Sequence, residues 1–264
     1  MASERIGILG AGRMGRPIAQ HLLAAGRTVC VYDPNEDARR AVVELGGVEC
    51  ASAGEVAARS EVVLVIVVDD TQVRDAVTSC LETAAPGTVI AICASVRPDT
   101  CRELAAAPDG VDVIDAALVR GERGAEEGQL VFYCGGPERA VERLRRAVEP
   151  VAEAVVHVGD VGAGQVAKTT NNVLLWACIR ADYEALRLGR ALGVDLGKLR
   201  GALAIGSGAN RPLAEWGEHR LRWPHKDLEV ALVVAAEAGI EMPLVEQLPK
   251  LIAQLTVEDL HDLL

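Results

Sequence analysis

Short apolar runs alternate with stretches of helical periodicity through the first 160 or so residues. Arg5–Leu9, Thr28–Tyr32 and residues 62–68, 88–92, 111–115 and 130–134 are short, rich in Val and Ile, and read as buried strands. Apolar positions at helical spacing fall between them over residues 13–25, 36–45 and 71–83. This alternation predicts βαβ units, and hence an α/β chain with a parallel sheet covered on both faces by helices.

The pattern changes near residue 160. Residues 162–192 contain no proline, and Gly164 and Gly189 alone interrupt a helical periodicity. One long helix is therefore expected to leave the sheet and form the spine of a second, all-helical domain. Residues 195–204, 228–238 and 244–255 read as further helices, bounded by Pro212, Pro224 and Pro243. No internal repeat or low-complexity linker is visible. The boundary is placed at the start of the long helix, which divides the chain into residues 1–161 and 162–264.

Composition narrows the function. Half of the 264 residues are hydrophobic, enough for a sizeable core. The formal net charge of -11 argues against nucleic acid, which needs clustered Lys and Arg. Anionic ligands remain open, because local groups in a cleft can hold them. The seven cysteines are scattered and form no CxxC, and the five histidines fail metal-ligand spacing. Reduced thiols, a cytoplasmic protein and no bound metal are expected. The N-terminal residues run straight into the apolar Ile6-Gly7-Ile8-Leu9, with no signal-peptide pattern. No stretch approaches the length needed to cross a bilayer.

The first chemical motif is Gly10-Ala11-Gly12-Arg13-Met14-Gly15, a GxGxxG between a strand and a helix. The first glycine permits a tight turn, the second lets backbone approach a pyrophosphate, and the third lets helix pack on strand. Phosphates would sit on free N–H groups at the helix N-terminus. The second strand ends at Asp33, placed to accept from the adenosine ribose hydroxyls. A carboxylate there would repel a 2′-phosphate, so NAD is expected rather than NADP. The bland alternative for Asp33 is a turn or cap residue before Pro34.

The most informative segment is Gly162-Ala163-Gly164-Gln165-Val166-Ala167-Lys168-Thr169-Thr170-Asn171-Asn172. Lys168 and Asn172 lie four apart and share a helix face. Paired asparagines are poor helix formers, so their amides should have a use. A lysine in a partly dry cleft can titrate near neutrality and act as acid or base. Asn172 could hold either that amine or a substrate oxygen. Taken alone, Lys168 would read as a solvated surface lysine, but its flanking pattern is not that of one.

Together these motifs resemble the β-hydroxyacid dehydrogenase family. That family includes enzymes of 3-hydroxyisobutyrate and tartronate semialdehyde, and its related branches contain 6-phosphogluconate dehydrogenase and the imine reductases. The resemblance spans nearly the whole chain and implies an N-terminal Rossmann doubly wound sheet followed by an all-helical C-terminal domain. Its cofactor motif is matched by Gly10, Gly12 and Gly15, with Arg13 and Met14 between them. Its GxGxxxKxxNN motif is matched from Gly162 to Asn172, which implies Lys168 as catalytic lysine and Asn172 as its support. Its late KDL motif is matched by Lys226-Asp227-Leu228, with Lys226 bordering the cofactor. Ser95, in Ala94-Ser95-Val96-Arg97-Pro98, stands where a threonine of the family contacts cofactor.

The substrate loop departs from the family pattern DAPVSGGxxGAxxGxL. It reads Asp115-Ala116-Ala117-Leu118-Val119-Arg120-Gly121, then Gly124-Ala125 and Gly128-Gln129-Leu130. The family's serine has become Val119 and one of its glycines Arg120. Val119 cannot donate a hydrogen bond, whereas Arg120 could hold an acidic substrate with a charged fork, beside the Gly121 backbone. Alternatively Arg120 points to solvent or pairs with Glu122. Trp223 and His225 precede Lys226 and are more ordinarily structural. The reading is an NAD-dependent dehydrogenase acting on a small acidic substrate. An imine reductase and a non-catalytic dinucleotide-binding protein are the alternatives, both disfavoured by the retained lysine. A long helix with several apolar positions needs partners, so a homo-oligomer, dimer or tetramer, is expected.

Overall fold

The computed structural model describes residues 4–106 and 110–264. It divides into two compact units, Met1–Lys168 and Thr169–Leu264. In the first unit the strands are β1 (Arg5–Leu9), β2 (Thr28–Tyr32), β3 (Val48–Glu49), β4 (Val62–Val65), β5 (Val89–Ile92), β6 (Asp112–Val119), β7 (Leu130–Gly135) and β8 (Ala152–Gly159). They form one sheet in the order β3-β2-β1-β4-β5-β6-β7-β8. The helices between them are α1 (Gly15–Ala24), α2 (Glu36–Val43), α3 (Ala53–Arg59), α4 (Asp70–Leu81), α5 (Pro98–Leu104), α6 (Gly121–Glu127) and α7 (Glu138–Val148).

The order runs outward from β1 in one direction and from β4 in the other. That reversal opens a crevice at the C-terminal ends of β1 and β4, the usual ligand position in a doubly wound sheet. β4 and β5 are buried along their whole length, as their unbroken Val, Ile and Leu runs require. Two apolar clusters cover the faces. One is built around Ile8, Ile18, Leu22 and Phe132, the other around Val56, Val65, Val77 and Ile92.

Two expectations are corrected. The sheet is not wholly parallel, because β7 runs antiparallel to β6. Only residues 120–129 join them, too few for a crossover that returns the chain in the same direction. The run 62–68 is not all strand. β4 ends at Val65, and residues 66–68 lie outside the strand, with Val68 67% exposed.

The long helix is α8 (Ala163–Ala191), 29 residues with no proline. Its first turns cluster with the sheet, and the compact units part at Lys168. The second unit continues with α9 (Leu196–Leu203), α10 (Arg211–Ala214), α11 (Pro224–Glu237), α12 (Pro243–Ile252) and α13 (Val257–His261). Trp176 and Ile179 of α8 pack on Leu228, Val245 and Ile252, and Leu186 packs on Leu213, Trp216 and Leu260. Among the described residues no helix is long and apolar enough to cross a membrane.

Candidate active site

The glycine-rich loop follows from what each position must avoid. Gly10 has φ +96, and a Cβ there would sit 2.2 Å from the Ile66 carbonyl oxygen. A Cβ on Gly15 would sit 1.9 Å from the Gly10 carbonyl oxygen, so only glycine lets α1 start against β1. Gly12 is different. A Cβ there would meet nothing within 4 Å, so the close approach it allows is to something other than this chain.

The N-terminus of α1 is also open. Met14 gives it no side-chain cap and its first turn carries no acid, whereas Asn35, Ser52 and Asp69 cap α2, α3 and α4. A helix N-terminus without a side-chain cap and bare backbone at Gly12 fit a pyrophosphate. Arg13 projects outward and faces Glu122 at 3.5 Å. At the end of β2, Asp33 accepts from the Ala11 N–H at 2.7 Å through one oxygen and from the Asn35 N–H at 2.8 Å through the other. It therefore ties the glycine loop to the end of β2, and each oxygen keeps a further lone pair for a ribose hydroxyl. These features together fit a dinucleotide.

The start of α8 is bolted to the sheet. Asp115 of β6 is fully buried. Its oxygens accept from the N–H of Gly162 at 2.6 Å and of Gln165 at 2.8 Å. Burial raises its carboxyl above the ordinary value, against the pull of the Gly162, Gln165 and Gly164 N–H groups. The GxG spacing follows from this contact, since a Cβ on Gly164 would lie 2.2 Å from the Tyr133 carbonyl oxygen and 2.7 Å from Asp115. Gln165, also buried, reaches the loop after β5. Its amide donates to the Ala94 carbonyl at 2.8 Å and accepts from the Val96 N–H at 3.3 Å. The half-buried Ser95 lies between those two residues.

Lys168 follows one turn later and is half-buried. Burial and Cys134 push the Cys93 thiol up, while the charge on Lys168 pulls it back, which puts the amine within electrostatic reach of the end of β5. Asp115 and Gln165 had no role in the sequence reading. The only signal was a buried-type acid opening the loop motif and a glutamine inside GxGQ.

In the substrate loop Val119 ends β6 and Arg120 takes a left-handed conformation, φ 80, before α6. The Arg120 fork is engaged by both oxygens of Glu153 on β8, one of them at 2.8 Å. Glu122 faces Arg13 instead. A substrate carboxylate would have to displace Glu153 to use this guanidinium. Gly121, with φ 58, has open space where a Cβ would stand.

In the second unit, Asn172 is buried on α8, and its side-chain oxygen accepts from the Asn171 amide at 3.3 Å. Lys226 lies exposed in the first turn of α11, next to His225. Trp223, half-exposed, caps α11 with φ 62, and Leu221 nearby also has positive φ, at 46. Asp227 accepts from the Trp176 indole N–H at 3.2 Å, which fixes α11 against α8.

Comparison with known proteins finds similarity along nearly the whole chain. Residues 5–159 match the model of the NAD-binding domain of 6-phosphogluconate dehydrogenase. Residues 162–263 match the model described as the NAD-binding domain of NADP-dependent 3-hydroxyisobutyrate dehydrogenase. A 2-(hydroxymethyl)glutarate dehydrogenase of Eubacterium barkeri is 31% identical, covering 92% of this chain and 86% of that protein. A 3-hydroxyisobutyrate dehydrogenase of Pseudomonas aeruginosa is 33% identical, covering 90% and 88%. The structure of Mycobacterium tuberculosis 3-hydroxyisobutyrate dehydrogenase with L-serine superposes with a TM-score of 0.88 at 28% identity, covering 96% of this chain and 94% of that one.

Proposed function

The chain belongs to the β-hydroxyacid dehydrogenase family, and from that premise we propose that it moves a hydride between NAD and a small β-hydroxyacid, with Lys168 as general acid/base. The observation that carries the reading is the placement of this half-buried amine. It belongs to a helix whose first turns are hydrogen-bonded to the sheet, and its charge reaches the Cys93 thiol that follows β5. Bound NAD supplies the hydride acceptor, and the residues do the rest. As hydride leaves the carbinol carbon, the Lys168 Nζ takes the hydroxyl proton; in the reverse direction it returns it. Asn172, one turn on, holds the amine or the substrate oxygen.

The choice of lysine supports this role. Of the 27 basic residues only Lys168, Lys198, Lys226 and Lys250 are lysine, the rest being arginine. Arginine cannot release a proton in this range, so lysine is the residue to use where one must be exchanged. Gly10, Gly12, Arg13, Met14 and Gly15 would cradle the pyrophosphate, and Ser95 and Lys226 would border the cofactor. Asp33 favours NAD, because its two N–H partners hold it where a 2′-phosphate would meet negative charge.

The relatives suggest the substrate class. Those named for 2-(hydroxymethyl)glutarate, 3-hydroxyisobutyrate and L-serine act on acids with a hydroxymethyl group next to the carboxylate-bearing carbon. The same HOCH2–CHR–COO⁻ unit is proposed here, lying against Val119 and the open backbone at Gly121. Arg120 then fastens the loop through Glu153 rather than binding the carboxylate directly. The exposed apolar positions Leu174 and Leu188 of α8, and Leu192 just after it, support self-association.

The test is NAD reduction with 3-hydroxyisobutyrate, L-serine and 2-(hydroxymethyl)glutarate, comparing the native chain with Lys168→Ala. A loss in kcat of about 10²- to 10⁴-fold, with NAD affinity retained, is expected for a lost acid/base. Full turnover by the alanine variant would overturn the assignment.

A further inference from the structure

We propose that Gln165 is a positioning residue for Lys168, held by Asp115 on one side and clamping the Ala94–Val96 backbone on the other. The proposal rests on the reading of Lys168 as the acid/base. Gln165 is 2% exposed, and both ends of its amide are used: Nε2 donates to the Ala94 carbonyl and Oε1 accepts from the Val96 N–H. A primary amide is suited to this, because it offers a donor and an acceptor side by side to a peptide segment that presents one of each. The Gln165 backbone N–H is itself held by Asp115. One continuous set of hydrogen bonds therefore runs from the middle of the sheet, through the first turn of α8, to the loop carrying Ser95.

Lys168 is three residues further on, on the neighbouring part of the same helix face. Any rotation or slide of that turn moves the amine relative to the end of β5. Asp115 sets the height of the helix and Gln165 its rotation. The amide reaches sequence positions 69 and 71 residues away, so it fixes two elements that nothing local aligns. Neither side chain touches the reacting atoms in this scheme; both act through the lysine and the loop.

The experiment uses the full chain without cofactor and then with NAD. In the free protein, competitive acetylation followed by mass spectrometry reads the reactivity of all four lysines. Gln165→Leu should change the rate at Lys168 at least threefold and leave Lys198 and Lys250 unchanged. With NAD and 3-hydroxyisobutyrate, the same variant should lose at least tenfold in kcat, more than KM for NAD changes, and the acid limb of its pH profile should move. Gln165→Glu supplies a second arm if the leucine variant does not fold. Its protonated carboxyl restores a donor toward Ala94, while the ionised form repels that carbonyl. The ratio of its kcat to that of the native chain should therefore rise as the pH falls. Unchanged Lys168 labelling and an unchanged kcat profile in Gln165→Leu, or a pH-independent ratio in Gln165→Glu, overturn the positioning role. Turnover surviving in Lys168→Ala instead overturns the reading beneath it, so the two failures are distinguishable.

Discussion

At the scale of single residues, Gly12 and Gly15 belong to one motif but answer to different constraints. Alanine at position 15 would drive its Cβ to 1.9 Å from the Gly10 carbonyl, so α1 must shift off β1. Gly15→Ala is expected to destabilise the free protein by roughly 1–3 kcal/mol, as overpacking does, measured by urea unfolding. Alanine at position 12 meets nothing. Gly12→Ala should leave the unfolding midpoint of the free protein where it was and weaken NAD binding by about tenfold or more, about 1.4 kcal/mol, by titration calorimetry. If both variants lost stability equally, the open space over Gly12 would have no bearing on a ligand. Roles for Gly12, Asp33 and Lys168 could be proposed from the sequence because residue type and spacing suggest a chemistry. None could be proposed for Asp115 and Gln165, because their hydrogen bonds run to partners 47 to 71 residues away.

At the scale of elements, legibility followed burial. β4 and β5, buried at every position, stood out as apolar runs. β8 did not, because Val155 is its only buried residue and the strand closes the edge of the sheet. The helices were bounded well where proline or a cap marks an end, as at Pro224 and Pro243. α6 was missed because it is one short helix between two left-handed residues, Arg120 and Gly128. Its entry is a place where backbone and side chain pull apart. A non-glycine residue at φ 80 is disfavoured, and the Glu153 pair opposes that cost. Arg120→Ala and Arg120→Gly both remove the ion pair, so their difference isolates the backbone. The glycine variant should be the more stable by about 1 kcal/mol in denaturant unfolding. Equal stabilities would mean the loop relaxes out of the left-handed region once the pair is gone.

At the scale of the whole molecule, charge and buried acid act in the same direction. The chain carries a net charge of -11, so self-repulsion grows as its carboxyls ionise. Two of those carboxyls are buried and raised. Asp115 is held by N–H donors, but among the described residues Asp182 on α8 has the Asn210 amide at 3.0 Å on one oxygen and no hydrogen-bond partner for its other, buried oxygen. Burial is the first cause of the Asp182 shift, with Asn210 and His219 pulling against it. The folded chain thus holds protons that the unfolded chain has already released near pH 4. Linkage then makes stability fall as the pH rises from about 4 through the raised folded values, and the penalty is complete above them. Asp259, lowered by the Thr256 N–H and hydroxyl, has the opposite sign and acts below that window. In low salt the unfolding free energy should therefore fall as the pH rises from about 4 toward 7. Salt at 0.3 M, with a Debye length of roughly 5–6 Å, should reduce the repulsive part and leave the part due to burial. Asp182→Asn keeps the acceptor for Asn210 and removes the charge. It should be more stable than the native chain at pH 7, and its stability should decline less as the pH rises from about 4 to 7. A variant no more stable at pH 7, with the native slope, would show that the unpartnered oxygen of Asp182 costs the fold nothing.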